Sequence, residues 1–435
     1  MKKLTVAVLM SLVSALSFAQ DNTSVISLPK DFVEACYRNG VELFSDGRYE
    51  EAVVMLKRAA GSGLADAQYD YGLCCFNGNG IAEDKEEAVV WFRKAAFQGM
   101  PEAQYTIGYC YECGYGVAQS AENAVEWYLL SAAQGNADAQ TALGVAYYSG
   151  EGVEKSNQLA AEWFRRAAEQ GNAEAQSFMG TFYANGIVVE KSDFKAAEWY
   201  SKAAEQGHAE GLYNLAYCYE YGVGVDWDED RALELYKAAA SKGLAVAQLD
   251  LAAYLIERGY EEDKETALSW LDAAVEQEHA DAQYLQGKLC YEGMFVSKDL
   301  KMAARLFALA AAQGNTDAQC DLGFCYLTGR GVRHDKEIAV RWFVKAAEQG
   351  NVRAKHNIGV CYYEGLGLEQ SYEEAVKWFT LAADEGYPDA EYYLGVCYNN
   401  GQGVEKNRST AVKLLRRAKK GGCKEAAEAL RILSE

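Results

Sequence analysis

Residues 316–351 read TDAQCDLGFCYLTGRGVRHDKEIAVRWFVKAAEQGN, and the next 36 residues say nearly the same again. A self-similarity of this period decides the architecture before any other feature. Each copy must be one supersecondary unit that cannot bury its apolar face alone. The register holds along the chain. The place of Gly323 is taken by Gly72, Gly108, Gly144, Gly180, Ala216, Ala252, Gly287, Gly359 and Gly395 in the other copies. The place of Ala339 is alanine in all ten copies. An indole recurs at Trp91, Trp127, Trp163, Trp199, Trp270, Trp342 and Trp378, with Leu235, Leu306 and Leu414 in the remaining copies.

Each copy reads as two helices. Ala318, Leu322, Cys325 and Tyr326 recur at the spacing of an amphipathic apolar stripe. Gly329 and Gly331 end that helix, since glycine takes positive φ without strain. Asp335 and Glu337 suit the positive end of a second helix. That helix is expected to bury Ala339, Trp342, Phe343, Ala346 and Ala347. Gly350 stops it, and Asn351 caps the next first helix.

The pattern A-x-x-x-L-G-x-x-Y, then G-x-G-V, then K-A-x-x-W-F-x-K-A-A-E-Q-G resembles the Sel1-like repeat family, relatives of the tetratricopeptide repeats. The resemblance covers residues 65–422 as ten repeats. It implies an all-α fold, an α-solenoid in which stacked antiparallel helix pairs form a right-handed superhelix. It also implies an interaction scaffold, in bacteria often exported. The sixth repeat departs most: Arg258 stands at the first loop glycine and Tyr260 at the second, so a local change of curvature is expected there.

Residues 1–19 do not belong to the fold. Lys2 and Lys3 precede an apolar core over 4–16 and a small-x-small cleavage signal at Ser17-Phe18-Ala19, the marks of a secretory signal peptide. No cysteine follows the cleavage site, which argues against a lipid anchor, and no other stretch is apolar enough to span a bilayer. The expected location is therefore exported, periplasmic or secreted, in a bacterium. Residues 20–30 form a polar linker. Residues 31–64 are a shorter, tetratricopeptide-like N-terminal cap, and residues 423–435 a C-terminal capping helix in which Ala426, Ala427, Leu430 and Leu433 face inward.

The net charge is −21; removing the signal peptide, with its two lysines and no acid, gives −23. Such a surface repels nucleic acid and anionic membrane, so neither nucleic acid binding nor membrane insertion is expected. It favours a basic or neutral partner, or serves solubility alone. Twelve cysteines raise the question of disulfides in an exported chain. Six share one register (Cys74, Cys110, Cys218, Cys325, Cys361 and Cys397), where a thiol acts as a small hydrophobe. Stacked copies lie ~8–10 Å apart, too far for a disulfide between equivalent positions. A cysteine-rich branch of the resembled family ties its two helices together, but the second helices here contain no cysteine.

The chemistry-bearing motifs are weak. Cys110-x-x-Cys113 has no second ligand pair, and the four histidines form no cluster in sequence, so no metal and no cofactor is expected. The run 226–230 begins like a calcium loop, but Arg231 replaces the required glycine. Ser192-x-x-Lys195 matches the nucleophile motif of penicillin-recognising enzymes, yet Ser192 sits where a second helix begins and a cap explains it. No catalytic residue is assigned.

Tyrosine is in excess, at 30 residues. Seven fill the place of Tyr326. Others form a second first-helix stripe, offset from the core one: Tyr69, Tyr105, Tyr213, Tyr284 and Tyr392 at one register, Tyr109 and Tyr217 at the next, and Tyr148, Tyr291 and Tyr363 at the third. Glu112 and Glu220 interleave with them. In tetratricopeptide-like solenoids the first helix lines the concave groove. These twelve residues are the candidate partner-binding site, suited to a protein or peptide with basic and apolar side chains. The alternative is that the tyrosines pack against the neighbouring repeat. Two other functions stand beside the scaffold: a cell-envelope enzyme or β-lactam- or peptidoglycan-binding protein of the β-lactamase-like kind, and a purely structural spacer.

Overall fold

The computed structural model describes residues 29–259 and 261–434. The expected signal peptide and most of the linker lie outside the described residues, as does Tyr260. Among the described residues there are 23 α-helices, one 3-10 turn and no strand. The chain is an all-α solenoid built of paired consecutive helices. It divides into two bodies, one up to Leu235 and one from Tyr236.

All but three helices are 13 residues long, about 20 Å each. Their ends are set by side chains already visible in the repeat. Asn315 accepts a hydrogen bond from the N–H of Ala318 at the start of Thr316–Thr328, and Gly329 leaves that helix at φ 70°. Asp335 accepts from the N–H of Ile338 to open Lys336–Glu348. Ser192 and Asp228 do the same for Lys195 and Arg231, so both motifs in which they lie are helix starts. Pro101 and Pro388 stand at first helical positions, where the missing N–H leaves no bond unmade.

Two glycines explain the register. Gly323 is a close approach: a Cβ there would meet the Phe343 ring at 2.7 Å. The ring of the second helix lies across the bare backbone of the first, and Phe343 is wholly buried. Burying such a side chain stabilises by ~1.5–3 kcal/mol. Trp342, expected in the core, is instead half-buried. The two aromatics are consecutive on the helix, about 100° of rotation apart. Phe343 takes the centre of the arc, and the indole lies at its edge beneath the ammonium of Lys345, 5.2 Å from the ring centre. The same cation–indole pairing occurs at Lys94–Trp91, Arg166–Trp163 and Lys202–Trp199. Gly331 serves the contact between repeats. Its φ is 76°, and a Cβ would overlap the carbonyl of Leu300 in the preceding repeat. At the corresponding loop places Val188 (φ 63°) and Phe295 (φ 61°) hold the left-handed conformation without glycine.

A buried polar relay joins the helices, which the sequence pattern alone did not expose. Gln319 donates to the carbonyl of Ala311 in the preceding second helix and accepts from Gln349 of its own repeat at 2.9 Å. Gln104–Gln134, Gln140–Gln170, Gln176–Gln206 and Gln248–Gln277 repeat the bond. In the ninth and tenth repeats an ion pair takes its place: Lys355–Glu385 and Arg417–Glu391, each at 2.5 Å. The glutamine of the recurrent E-Q-G is therefore a structural donor that satisfies buried acceptors.

The sixth repeat keeps its exit glycine, shifted by one residue. Its first helix, Ala245–Arg258, is 14 residues long and leaves through Gly259 at φ 68°, followed by a 3-10 turn at Glu261–Asp263. At the last helix, Lys424–Ser434, Ala426, Ala429, Leu430 and Leu433 pack against Leu415 and Ala418. Ala427, expected to face inward, is exposed.

Candidate functional site

The first helices present two variable positions on a shared frame. The second residue of each is acidic in eight repeats, and becomes Val246 in the sixth and Arg353 in the ninth. The fifth is tyrosine in five repeats and Thr141, Ser177, Leu249, Cys320 or His356 in the others.

At three of the tyrosine positions the ring lies against an aromatic ring of its own repeat, and at two of these the hydroxyl reaches forward. Tyr69 lies 5.6 Å from Phe92, Tyr105 5.6 Å from Tyr128 and Tyr284 5.8 Å from Phe307. The Tyr69 hydroxyl bonds Thr106 at 3.2 Å and that of Tyr284 donates to Asp321 at 3.0 Å, each in the next first helix. Tyr37 of the N-terminal pair donates to Asp70 in the same way. Burial pushes the Tyr105 hydroxyl up to about 12.

The candidate tyrosines fall into two groups. Tyr69, Tyr105, Tyr148, Tyr213, Tyr284, Tyr291, Tyr363 and Tyr392 are half-buried, and Tyr109 and Tyr217 are exposed. Several of the half-buried set pack within the solenoid. Tyr148 lies 5.5 Å from Phe182 and Tyr363 5.8 Å from Tyr393, while Tyr392 touches Tyr393. Tyr291 sits 6.2 Å from Phe307 and accepts a bond from Arg330. Tyr109 and Tyr217 lie against near neighbours, Tyr115 at 5.9 Å and Tyr221 at 4.6 Å. Glu112 accepts a short hydrogen bond from Tyr128, so its carboxylate also anchors a ring. Glu220 is half-buried at the end of Ala209–Tyr221.

Two cavities open beside first helices in which the tyrosine rung is missing. In the C-terminal body a cavity of about 490 Å³ lies above Cys320, between Tyr284, His356 and Tyr387. Arg353 lines it, paired with Asp321 at 2.7 Å and Asp317 at 3.6 Å. Asn357 donates to the Cys320 sulfur at 3.3 Å. His356 is 8 % exposed, wedged among the rings of Phe379, Tyr387 and Tyr393, and its Nδ1 is buried without a hydrogen-bond partner. Burial holds its pKa down to about 4, against the opposing pull of Asp389, so the ring is neutral. Burial also pushes the Cys320 thiol up to about 12, which keeps it protonated. In the N-terminal body a cavity of about 200 Å³ lies beside Ser177 and Thr181, walled by Glu174, His208 and Glu210. The twelve cysteines are all free thiols, eleven buried and Cys113 exposed. Among the described residues no cluster could hold a metal ion, and no helix is long and apolar enough to cross a membrane.

Sequence reasoning followed the tyrosines that are present, whereas these two cavities lie beside positions where one is absent. The signal was available in the register, at Ser177 and Cys320.

Ten consecutive matches to the Sel1 repeat run without a break from 65–100 to 388–423. The chain is similar to the crystal structure of a protective antigen present in uropathogenic Escherichia coli strains, described as displaying an SLR fold. The identity is 32%, covering 92% of this chain and 87% of that one, with a TM-score of 0.67. It is also similar to a Sel1 repeat protein from Oxalobacter formigenes at 34% identity, covering 55% of this chain and 96% of that one, with a TM-score of 0.51. The comparison with curated proteins returns no match. Repeat scaffolds of this kind generally mediate protein–protein interaction and are generally non-catalytic. With ten matched repeats spanning residues 65–423, the chain belongs to the Sel1 repeat family.

Proposed function

We propose that the protein is an exported, non-enzymatic scaffold whose first-helix face forms a concave, tyrosine-rich, acidic groove for a segment of a partner protein. The single observation that carries this reading is the composition of that face. Acids fill the second position of eight repeats, and Tyr109 and Tyr217 stand exposed on the first helices. Tyrosine offers large contact area at low entropic cost and a hydrogen-bonding tip. The excess of acid favours basic side chains on the partner, and the aromatic walls favour apolar ones. Export rests on the signal-peptide pattern of residues 1–19.

Selection from a random-peptide display library on the immobilised mature chain tests the reading. Enriched peptides should combine Lys or Arg with apolar residues, and their binding should weaken with salt, since surface electrostatics are screened. Enrichment of acidic peptides, or none above an empty surface, defeats it.

A further inference from the structure

Resting on the groove reading, we propose that the cavity above Cys320 receives a tyrosine side chain of the partner protein, set where the solenoid's own ladder lacks one. Three observations converge. The fifth position of the first helix carries Tyr69, Tyr105, Tyr213, Tyr284 and Tyr392 in other repeats, but a small thiol at Cys320. The vacated space is a cavity of about 490 Å³, in the size range of sites that enclose a ligand. It exceeds one phenol, so the backbone of the residue bearing the ring also fits.

The ladder prescribes the bond the guest would make. Two hydroxyls at the fifth position reach the sixth residue of the next first helix: Tyr69 reaches Thr106 and Tyr284 reaches Asp321. For Cys320 that sixth residue is Asn357, whose side chain now has a thiol as its partner. A guest phenol here donates to the Asn357 carbonyl oxygen or accepts from its amide. The ring meets Tyr284 on one side and His356 and Tyr387 on the other. The second observation pointing to a ligand is His356, more than nine-tenths buried, lining the cavity with an unpartnered Nδ1. A buried imidazole nitrogen without a bond is unfavourable, and the peptide group of the incoming residue supplies a donor or an acceptor. Charge does not choose the guest, because Arg353 and Lys288 are balanced in the lining by Glu292, Asp321 and Asp389; the aromatic walls and the vacant rung favour a ring.

The test uses the full chain and three probes: the N-acetyl amides of tyrosine, phenylalanine and leucine, read by saturation-transfer NMR. Tyrosine amide should bind about fivefold more tightly than phenylalanine amide, the worth of one hydrogen bond, and leucine amide should give no saturation. Cys320→Tyr fills the cavity and should abolish the tyrosine signal with the melting temperature kept or raised. Should that variant fail to fold, Asn357→Leu serves instead: it should bring tyrosine amide down to the level of phenylalanine amide and leave the latter unchanged. Equal binding of all three amides, or an undiminished tyrosine signal in the variants, overturns the proposal. Absence of amide binding while library-selected peptides still bind removes the pocket and leaves the groove. Absence of both removes the groove reading as well.

Discussion

The two cavities sit on the same frame and differ in chemistry. In the N-terminal body, Ser177 stands at the fifth position and acids flank it at Glu174 and Glu210, giving about 200 Å³ of acidic space. In the C-terminal body, Cys320 and His356 stand in succession at that position, and Arg353 interrupts the acidic row, giving about 490 Å³ walled by rings and charges of both signs. The buried register beneath is unchanged: Gly144 lies under Phe164 as Gly323 lies under Phe343. The difference teaches that the repeat separates its duties. The glycine, the alanines and the glutamine relay fix the helices, while the second and fifth residues vary the surface at little cost to the frame.

The largest expected effect comes from breaking the shared frame. Gly323→Val should cost about 3 kcal/mol, because its Cβ group meets the Phe343 ring and an overpacked core must shift. Urea unfolding would show it as a lower midpoint. Cys320→Ala, three residues earlier, should cost only about 1 kcal/mol, the removal of a small buried group beside a cavity. Equal losses would erase the distinction between frame and surface.

A second effect belongs to His356 in the C-terminal body. His356 has a folded-state pKa near 4, below its ordinary 6.5. The unfolded chain therefore binds the proton more readily, and stability falls as pH drops. The contribution is fully present above pH 6.5 and is lost between about 6.5 and 4, amounting to about 3 kcal/mol by linkage. Thermal melts across that window should show the slope, and His356→Phe should flatten it.

Much of the frame was legible because ten copies display the same caps, exits and small residues, so local chemistry is read ten times over. The indole was harder. Trp342 and Phe343 are adjacent and both apolar, and only the stacked helices reveal which one faces Gly323. The glutamine relay was hidden for a related reason, since a polar residue in a core makes sense only once its acceptor, such as the Ala311 carbonyl, has been placed. The candidate tyrosines were legible as a stripe, but the stripe mixes rings pinned inside the solenoid, such as Tyr105 and Tyr148, with the exposed Tyr109 and Tyr217.

The smallest effect concerns the loops. Val188 carries a β-branched side chain at φ 63°, where every L-residue is strained. Val188→Gly should raise stability by about 1 kcal/mol, whereas Gly152→Val at the corresponding loop of the preceding repeat should lower it. A stabilising Gly152→Val would contradict the role given to that loop.

The central claim is that the first-helix face binds a protein segment through side chains the fold does not need. It is tested most directly by titrating a library-selected peptide into the Tyr109→Ala, Tyr217→Ala double variant and following heat alongside the melt. These two rings are the exposed members of the stripe, so their loss spares the core. Affinity should fall at least about tenfold, as expected on removing interface tyrosines, with the melting temperature held within about 2 °C. Unchanged affinity in the double variant would contradict the account.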